Sequence, residues 1–327
     1  MTPTLDPLEL QSLYSRGERK FDGVLLNGAN LAGAVLSSIS LKNAALRGAD
    51  LTGALLSKAD LSGADLYAAK LDGADLRESN LAGASLDAAS LISAVIRESS
   101  LAGASLIGTD LRAADLRASD LSGSICVRGN FLDARLDFAN LTNAFFEEAN
   151  LRGVGLAEAD VRGAHFRGVE LETARVAGLR FDRTTRFKRS NVNGLIGDPV
   201  VSRFAKDQEF LEAFAARHPW LFLIWNLTSA CGTSMARWLL CSAALVIGFG
   251  LAFSLLPNDF MLNVDSRTPT PFTFFYYSIV IFTTLGFGDV IPRSLLGELL
   301  VSLEVLLGYL MLGGLISIFA TKLARQA

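Results

Sequence analysis

Thr283-Thr284-Leu285-Gly286-Phe287-Gly288-Asp289 is the stretch whose residue types and spacing carry the most demanding chemistry in this chain. Gly286 and Gly288 alternate with Leu285 and Phe287. Glycine reaches positive φ at little cost, so the alternation lets consecutive carbonyls point the same way. A ring of such carbonyls replaces the water shell of a cation. Gly-Phe-Gly by itself also fits a plain turn between two apolar helices. That reading leaves unexplained the paired threonines, the aspartate and the apolar, aromatic run Phe272 to Phe282 just ahead. Elsewhere the chain holds no clustered His or Cys and no paired carboxylates fit for acid–base work, so no enzyme is expected. Cys126, Cys231 and Cys241 lack metal-ligand spacing, and no disulfide framework is expected.

The elements that must position this stretch lie on either side of it. Trp238 to Leu256 is 19 residues without a charge, enough to cross a hydrocarbon core of about 30 Å at 1.5 Å per residue. Leu299 to Phe319 is a second span, interrupted only by Glu304. Between them Thr270-Pro271 reads as a helix start, with a capping hydroxyl and a proline in the first turn. The helix from Phe272 to about Phe282 is too short to span, so it dips in and the glycine stretch carries the chain back out. Irregular backbone at that depth survives only when buried in protein or lining a watery path. The C-terminal end of the half-helix brings its negative dipole end to mid-membrane, which favours a cation there. Arg237, Lys322 and Arg325 flank the spans on the sides away from the loop, which places both termini in the cytoplasm. The first residues lack the pattern of a secretory signal, so the N-terminal part is expected not to be exported.

The stretch resembles the selectivity filter of potassium channels, Thr-Val-Gly-Tyr-Gly-Asp, with Leu285 in the valine place and Phe287 in the tyrosine place. The resemblance implies K+ sites lined by the Thr284 side chain and the carbonyls of Thr284, Leu285, Gly286 and Phe287. Gly288 and Asp289 would shape the outer mouth. One chain supplies a quarter of such a ring, so the resemblance implies a homotetramer. Phe287 lacks the hydroxyl that commonly ties the filter to the pore helix, which touches filter stiffness rather than carbonyl geometry. Gly308 lies where two-span channels carry a hinge glycine, and Gly313-Gly314 offers a second flexible point. Each fits helix packing by a small residue equally well. Glu304 is an intramembrane carboxylate, and such a group faces a pore or finds a partner. A structural partner or a pore-facing role is favoured for it over a pH sensor.

Residues 21–186 follow a different rule. Every fifth residue from Phe21 to Phe181 is apolar, 33 positions in which only Cys126 is not plainly so. Two residues before each there is usually a small residue, most often Ala, with Asp or Asn frequent between. A period of five fits neither helix nor strand and needs a backbone that turns a corner at every unit. It resembles the pentapeptide-repeat family, which implies a right-handed four-sided β-helix of about eight coils, roughly 40 Å long at the strand spacing. Its charge is mixed, 21 acids against 17 Lys and Arg, so the DNA-mimic role of some strongly acidic relatives is disfavoured. No nucleic-acid partner is expected, and His165 offers no metal site.

The remaining segments connect or close. Residues 1–20 form a short helix begun by Asp6-Pro7, with Leu8, Leu10, Leu13 and Tyr14 covering the open first coil. Residues 187–234 form a connector: an amphipathic helix from about Val200 to Arg217, best read as a cap, then Trp220 to Trp225, whose tryptophans suit a membrane interface. No arginine-rich helix points to voltage sensing and no glycine-rich nucleotide loop to nucleotide gating. Half the residues are hydrophobic, 19% are charged and the net charge is −3, as fits a membrane part joined to a soluble one.

The fold class expected is an N-terminal right-handed quadrilateral β-helix (21–186) followed by an all-α membrane pore domain (235–327) of two transmembrane helices and a re-entrant pore helix. The function expected is passive potassium conduction in the inner membrane of a bacterium. The expected partners are lipid, other copies of the chain and an unidentified cytoplasmic protein or ligand on the β-helix. No cofactor is expected beyond K+ as the permeant ion. Two alternatives are a weakly selective cation channel and a membrane-anchored interaction protein with a vestigial pore segment.

Overall fold

The computed structural model describes residues 5–232, 234–256, 260–262, 270–283, 285 and 290–324. The chain divides into two units, Met1–Phe210 and Leu211–Ala327, each with its own core.

The first unit is the β-helix. Single-residue parallel bridges recur every five residues and join partners 20 apart, from Lys20↔Ser40 to Asp160↔Arg180. Four five-residue faces therefore make one coil. Within a unit the corner is a tight turn, as where Ala64 donates to the Leu61 carbonyl at 3.0 Å. Coils are tied by bonds such as Leu61 N to Asn80 O at 2.7 Å and Ser85 N to Ala64 O at 2.9 Å. Each corner up to Gly178 puts one residue in the left-handed region, which Gly63 adopts freely (φ 66°) and Phe138 adopts against its Cβ (φ 63°). Inside, Leu and Ala alternate along the chain, so that like stacks on like from coil to coil, and both are almost wholly buried. Cys126 sits in that ladder with no exposure, and burial pushes its thiol up to about 12, so it behaves as a small apolar residue.

A column of aromatic rings fills the upper half of the rod. Phe131 meets Phe146 edge-on at 5.4 Å, Phe146 stacks on Phe166 at 5.4 Å, and Phe166 stacks on Phe187 at 5.1 Å. Both ends are closed by helices. At the start, α1 (Pro7–Ser15) is capped by the Asp6 side chain, buries Leu10 and bonds the Tyr14 hydroxyl to the Ser37 carbonyl at 2.8 Å. Leu8, expected on its apolar side, is exposed instead.

At the far end the boundary read at residue 186 moves. After Phe181 one extra residue is accommodated: the bridges lengthen to 21 apart and the ladder continues through His165↔Arg186 to Arg175↔Ile196. Thr185, Phe187 and Val192 then fill the inward places. Asp182 absorbs the extra residue, accepting hydrogen bonds from the backbone of Thr184 and Thr185. The repeat thus slips by one residue instead of ending. Residues 187–196 belong to the rod rather than to the connector.

The helix α2 (Pro199–Arg217) then closes the last coil over its residues up to Phe210. Val201 and Ala205 are buried in the rod's core, and Phe204 packs on Phe181 at 4.9 Å. The Gln208 amide brackets the open coil edge, donating to the Thr185 carbonyl at 2.7 Å and accepting from Phe187 N at 2.9 Å. An open edge with unpaired backbone groups is what would otherwise recruit another strand.

The second unit is a helical bundle. Its elements are α3 (Pro219–Ser229), α4 (Met235–Leu255), β1 (Phe260–Leu262), α5 (Pro271–Phe282), β2 (Val290–Pro292) and α6 (Leu295–Ala324). Among the described residues, α4 and α6 are long and apolar enough to cross a membrane. Their outward faces expose Leu240, Leu251, Leu306, Leu310, Ile316 and Phe319. Where the helices meet, Phe253, Phe274 and Tyr277 form the core.

Candidate ion pathway

The local sequence sets α5 in place. Pro271 occupies its first turn, and Thr270 and Thr273 form a reciprocal capping box. The helix stops at Thr283, whose hydroxyl turns back to the Ile279 carbonyl at 2.7 Å, while Leu285 N reaches the Val280 carbonyl at 3.0 Å. At 12 residues α5 is about 18 Å long, short of a bilayer core.

Two observations define the path of the chain here. First, β1 and β2 pair antiparallel with Leu262 opposite Val290, so the chain that leaves at Leu262 is back beside it at Val290, with α5 between the two in sequence. Second, the end of α5 lies against the middle of α6. A Cβ placed on Gly308 would collide with the Phe282 carbonyl oxygen. Gly308 is roughly 20 Å along α6 from Leu295. The C-terminal, dipole-negative end of α5 therefore stands at mid-depth of the spanning helix.

The other residues singled out by sequence sort differently. Leu285 is exposed. Thr284, Gly286, Phe287, Gly288 and Asp289 lie outside the described residues, so the filter's own geometry does too. Gly308 and Gly314 are close-packing positions: a Cβ at Gly314 would overlap the Trp238 ring. That ring also donates its Nε1 hydrogen to the Met311 carbonyl at 2.7 Å, joining α4 to α6. Gly313 faces open space. The helix α6 runs unbroken through all three.

Glu304 is fully buried and reaches Ser278 on α5, whose hydroxyl hydrogen-bonds its Oε1. The same hydroxyl lies 2.8 Å from the Val246 carbonyl on α4. One serine thus links all three helices, with a single hydrogen to share between two acceptors. Oε2 of Glu304 has no hydrogen-bond partner among the described residues. The Ser278 link left no trace in the sequence, where a lone serine in an apolar run reads as packing.

Beside the end of α5 a cavity of about 230 Å³ is lined by Leu239, Phe282, Gly308 and Met311, with the Ser242 and Thr283 hydroxyls as its polar groups. Among the described residues no cluster of His, Cys, Asp or Glu is arranged to hold a metal. Most of the rod's aspartates are engaged structurally. Asp115 is the best held: burial opposes its ionisation, but hydrogen bonds from Arg117 and Arg97 prevail and keep its carboxyl down at about 2.

Comparison with known proteins agrees with this division. Residues 239–325 match the family described as ion channel. Residues 20–57, 59–97, 89–125 and 130–168 match pentapeptide repeats. Neither family is one of enzymes. No curated protein matches the sequence.

Among solved structures, HetL, a pentapeptide repeat protein involved in heterocyst differentiation regulation from Nostoc sp. strain PCC 7120, is 29% identical. That match covers 59% of this chain and 97% of HetL, with a TM-score of 0.34. A trypsin-treated form of QnrB1, a plasmid-mediated fluoroquinolone resistance protein, is 21% identical over 50% of this chain and 80% of its own, with a TM-score of 0.37. Rfr23, from the cyanobacterium Cyanothece 51142, is 20% identical over 58% of this chain and 99% of its own, with a TM-score of 0.16. The fold rests on the ladder described above. The chain joins a β-helix that matches pentapeptide repeats to a two-span segment that matches the ion-channel family.

Proposed function

We propose that this chain is one subunit of a homotetrameric, potassium-selective channel. The observation that carries the reading is the end of α5 at mid-depth of α6, with α5 between the paired strands β1 and β2 in sequence. The next residues in the chain are the glycine-alternating stretch. In the proposed tetramer the carbonyls of Thr284, Leu285, Gly286 and Phe287 line the K+ sites, and Gly288 and Asp289 form the outer mouth. A half-helix whose negative end is aimed at that point favours a cation in the low-dielectric middle of the membrane. The ion-channel match over residues 239–325 supports conduction as such.

Conduction is passive and needs no cofactor. Bending of α6 falls most easily at Gly313, since Gly308 and Gly314 are held by their neighbours. The rods stand in the cytoplasm of a bacterial cell with both termini, and act on the pore through the connector or by taking a cytoplasmic partner.

The test is ion flux from liposomes loaded with potassium, with sodium and barium as comparisons. Potassium flux that barium blocks and sodium cannot support is the expected result. Equal sodium and potassium flux keeps a channel and removes selectivity. Absence of flux in both ions, together with absence in a Gly313→Pro variant made to bend α6, removes conduction.

A further inference from the structure

The arginines of the rod divide sharply along its length. All nine from Arg47 to Arg162 hold a carboxylate, at distances from 2.6 Å (Arg77–Asp75, Arg97–Asp115, Arg152–Glu172) to 3.9 Å (Arg135–Asp115). The next six, Arg167, Arg175, Arg180, Arg183, Arg186 and Arg189, are exposed and make no direct ion pair among the described residues, Arg180 acting on Asp160 only from farther off. Four of the five acids near them, all but Glu158, are already engaged. Asp160 pairs with Arg162, Glu172 with Arg152, Glu170 accepts from Asn191 and Asp182 from Thr184. Residues 158–189 carry eight Lys and Arg against five acids, whereas residues 21–150 carry ten against 16. The rod is acidic along most of its length and basic at one end.

The register of the ladder places these six side chains around the last coils rather than on one strip. Arg175, Arg180 and Arg186 begin three successive faces, and Arg167 and Arg189 lie on the same face as Arg186. They form a collar at the end from which the chain leaves, through α2 and α3, for the first span. The helix α3 exposes Trp220, Leu221, Ile224 and Leu227, the composition of a segment that lies in a membrane interface.

We propose that the arginine collar docks the end of the rod on anionic lipid headgroups of the cytoplasmic leaflet. Guanidinium forks suit phosphate and carboxylate oxygens. The potential of a leaflet rich in anionic lipid draws basic segments held within about a Debye length of it, roughly 8 Å at physiological salt. The paired arginines upstream have spent that capacity on the rod itself. The docking rests on the membrane spans and not on conduction, and the experiment below reads arginine reactivity rather than flux.

The full chain is placed in nanodiscs of phosphatidylcholine alone or with about 30 mol% phosphatidylserine. Arginine modification by phenylglyoxal is then followed site by site by mass spectrometry. The six collar arginines are expected to react about threefold more slowly, or slower still, in the anionic discs, an effect abolished by roughly 0.5 M salt. Arg47 and Arg112 serve as references and are unchanged. Equal rates in the two discs overturn the proposal. So does equal protection in neutral discs by added RNA or by inorganic phosphate. In the triple variant Arg183→Gln, Arg186→Gln, Arg189→Gln, all at solvated positions, protection of Arg167, Arg175 and Arg180 is expected to fall towards the neutral-disc rate. Undiminished protection in that variant, with the β-helix signal intact in circular dichroism, overturns the collar as the cause.

Discussion

The two units stabilise themselves by opposite means. In the β-helix each inward side chain meets partners in its own coil or 20 residues away, so the interior closes on itself and the outside is polar. In the membrane unit the order is reversed: large apolar side chains face outward from α4 and α6, and the polar contact is inside, at Glu304, Ser278 and the Val246 carbonyl. The rod hides its apolar side chains within itself. The membrane unit leaves large apolar faces of α4 and α6 uncovered, and in hydrocarbon the driving force is close packing and satisfied polar groups rather than exclusion of water. A repeat can be lengthened or slipped by a residue, as after Phe181, whereas the bundle depends on a few non-repeating fits.

The largest effect that would break this comparison is a cavity in the aromatic column. Phe146→Ala removes the ring between Phe131 and Phe166 and should cost about 3–5 kcal/mol. Because each unit has its own core, denaturant titration followed by circular dichroism should show an early β-helix transition while the helical transition stays in place. A shift of both transitions would mean that the units are energetically one.

A smaller effect sharpens the comparison on the membrane side. Gly308→Ala forces α6 away from the Phe282 carbonyl and should cost about 1–3 kcal/mol, whereas Gly313→Ala has open space and should be nearly neutral. Thermal melting in detergent measures both. Equal costs would remove the distinction drawn here between a packed and a free glycine.

The smallest concerns charge. The Asp115 carboxyl sits at about 2, below its unfolded value near 3.9, so its stabilisation is present above pH 4 and is lost as pH falls through 2. Its arginine partners are partly solvated, so Asp115→Asn should cost only on the order of 1 kcal/mol at pH 7. The difference from the parent should close between pH 4 and pH 2. A difference that persists at pH 2 would trace the effect to shape rather than charge.

Composition and period determined much of this molecule without help. A five-residue rule repeated 33 times names its fold because every unit needs the same corner. Two long apolar runs name spans because length and the absence of charge are sufficient, and Thr270-Pro271 marks a helix start by local chemistry alone. Tertiary structure decided what no period encodes. The slip after Phe181 is visible only once the ladder is followed, since the inward places change phase from Phe181 to Phe187. Gln208 is one polar residue on an amphipathic helix until the last coil presents Thr185 and Phe187 to it. Ser278 and Glu304, 26 residues apart, meet because α5 and α6 pack. Gly308, one glycine among several in the spans, is held to its size by the Phe282 carbonyl. Local rules fix what repeats or stands alone, while single contacts between distant residues arise only when the chain is folded.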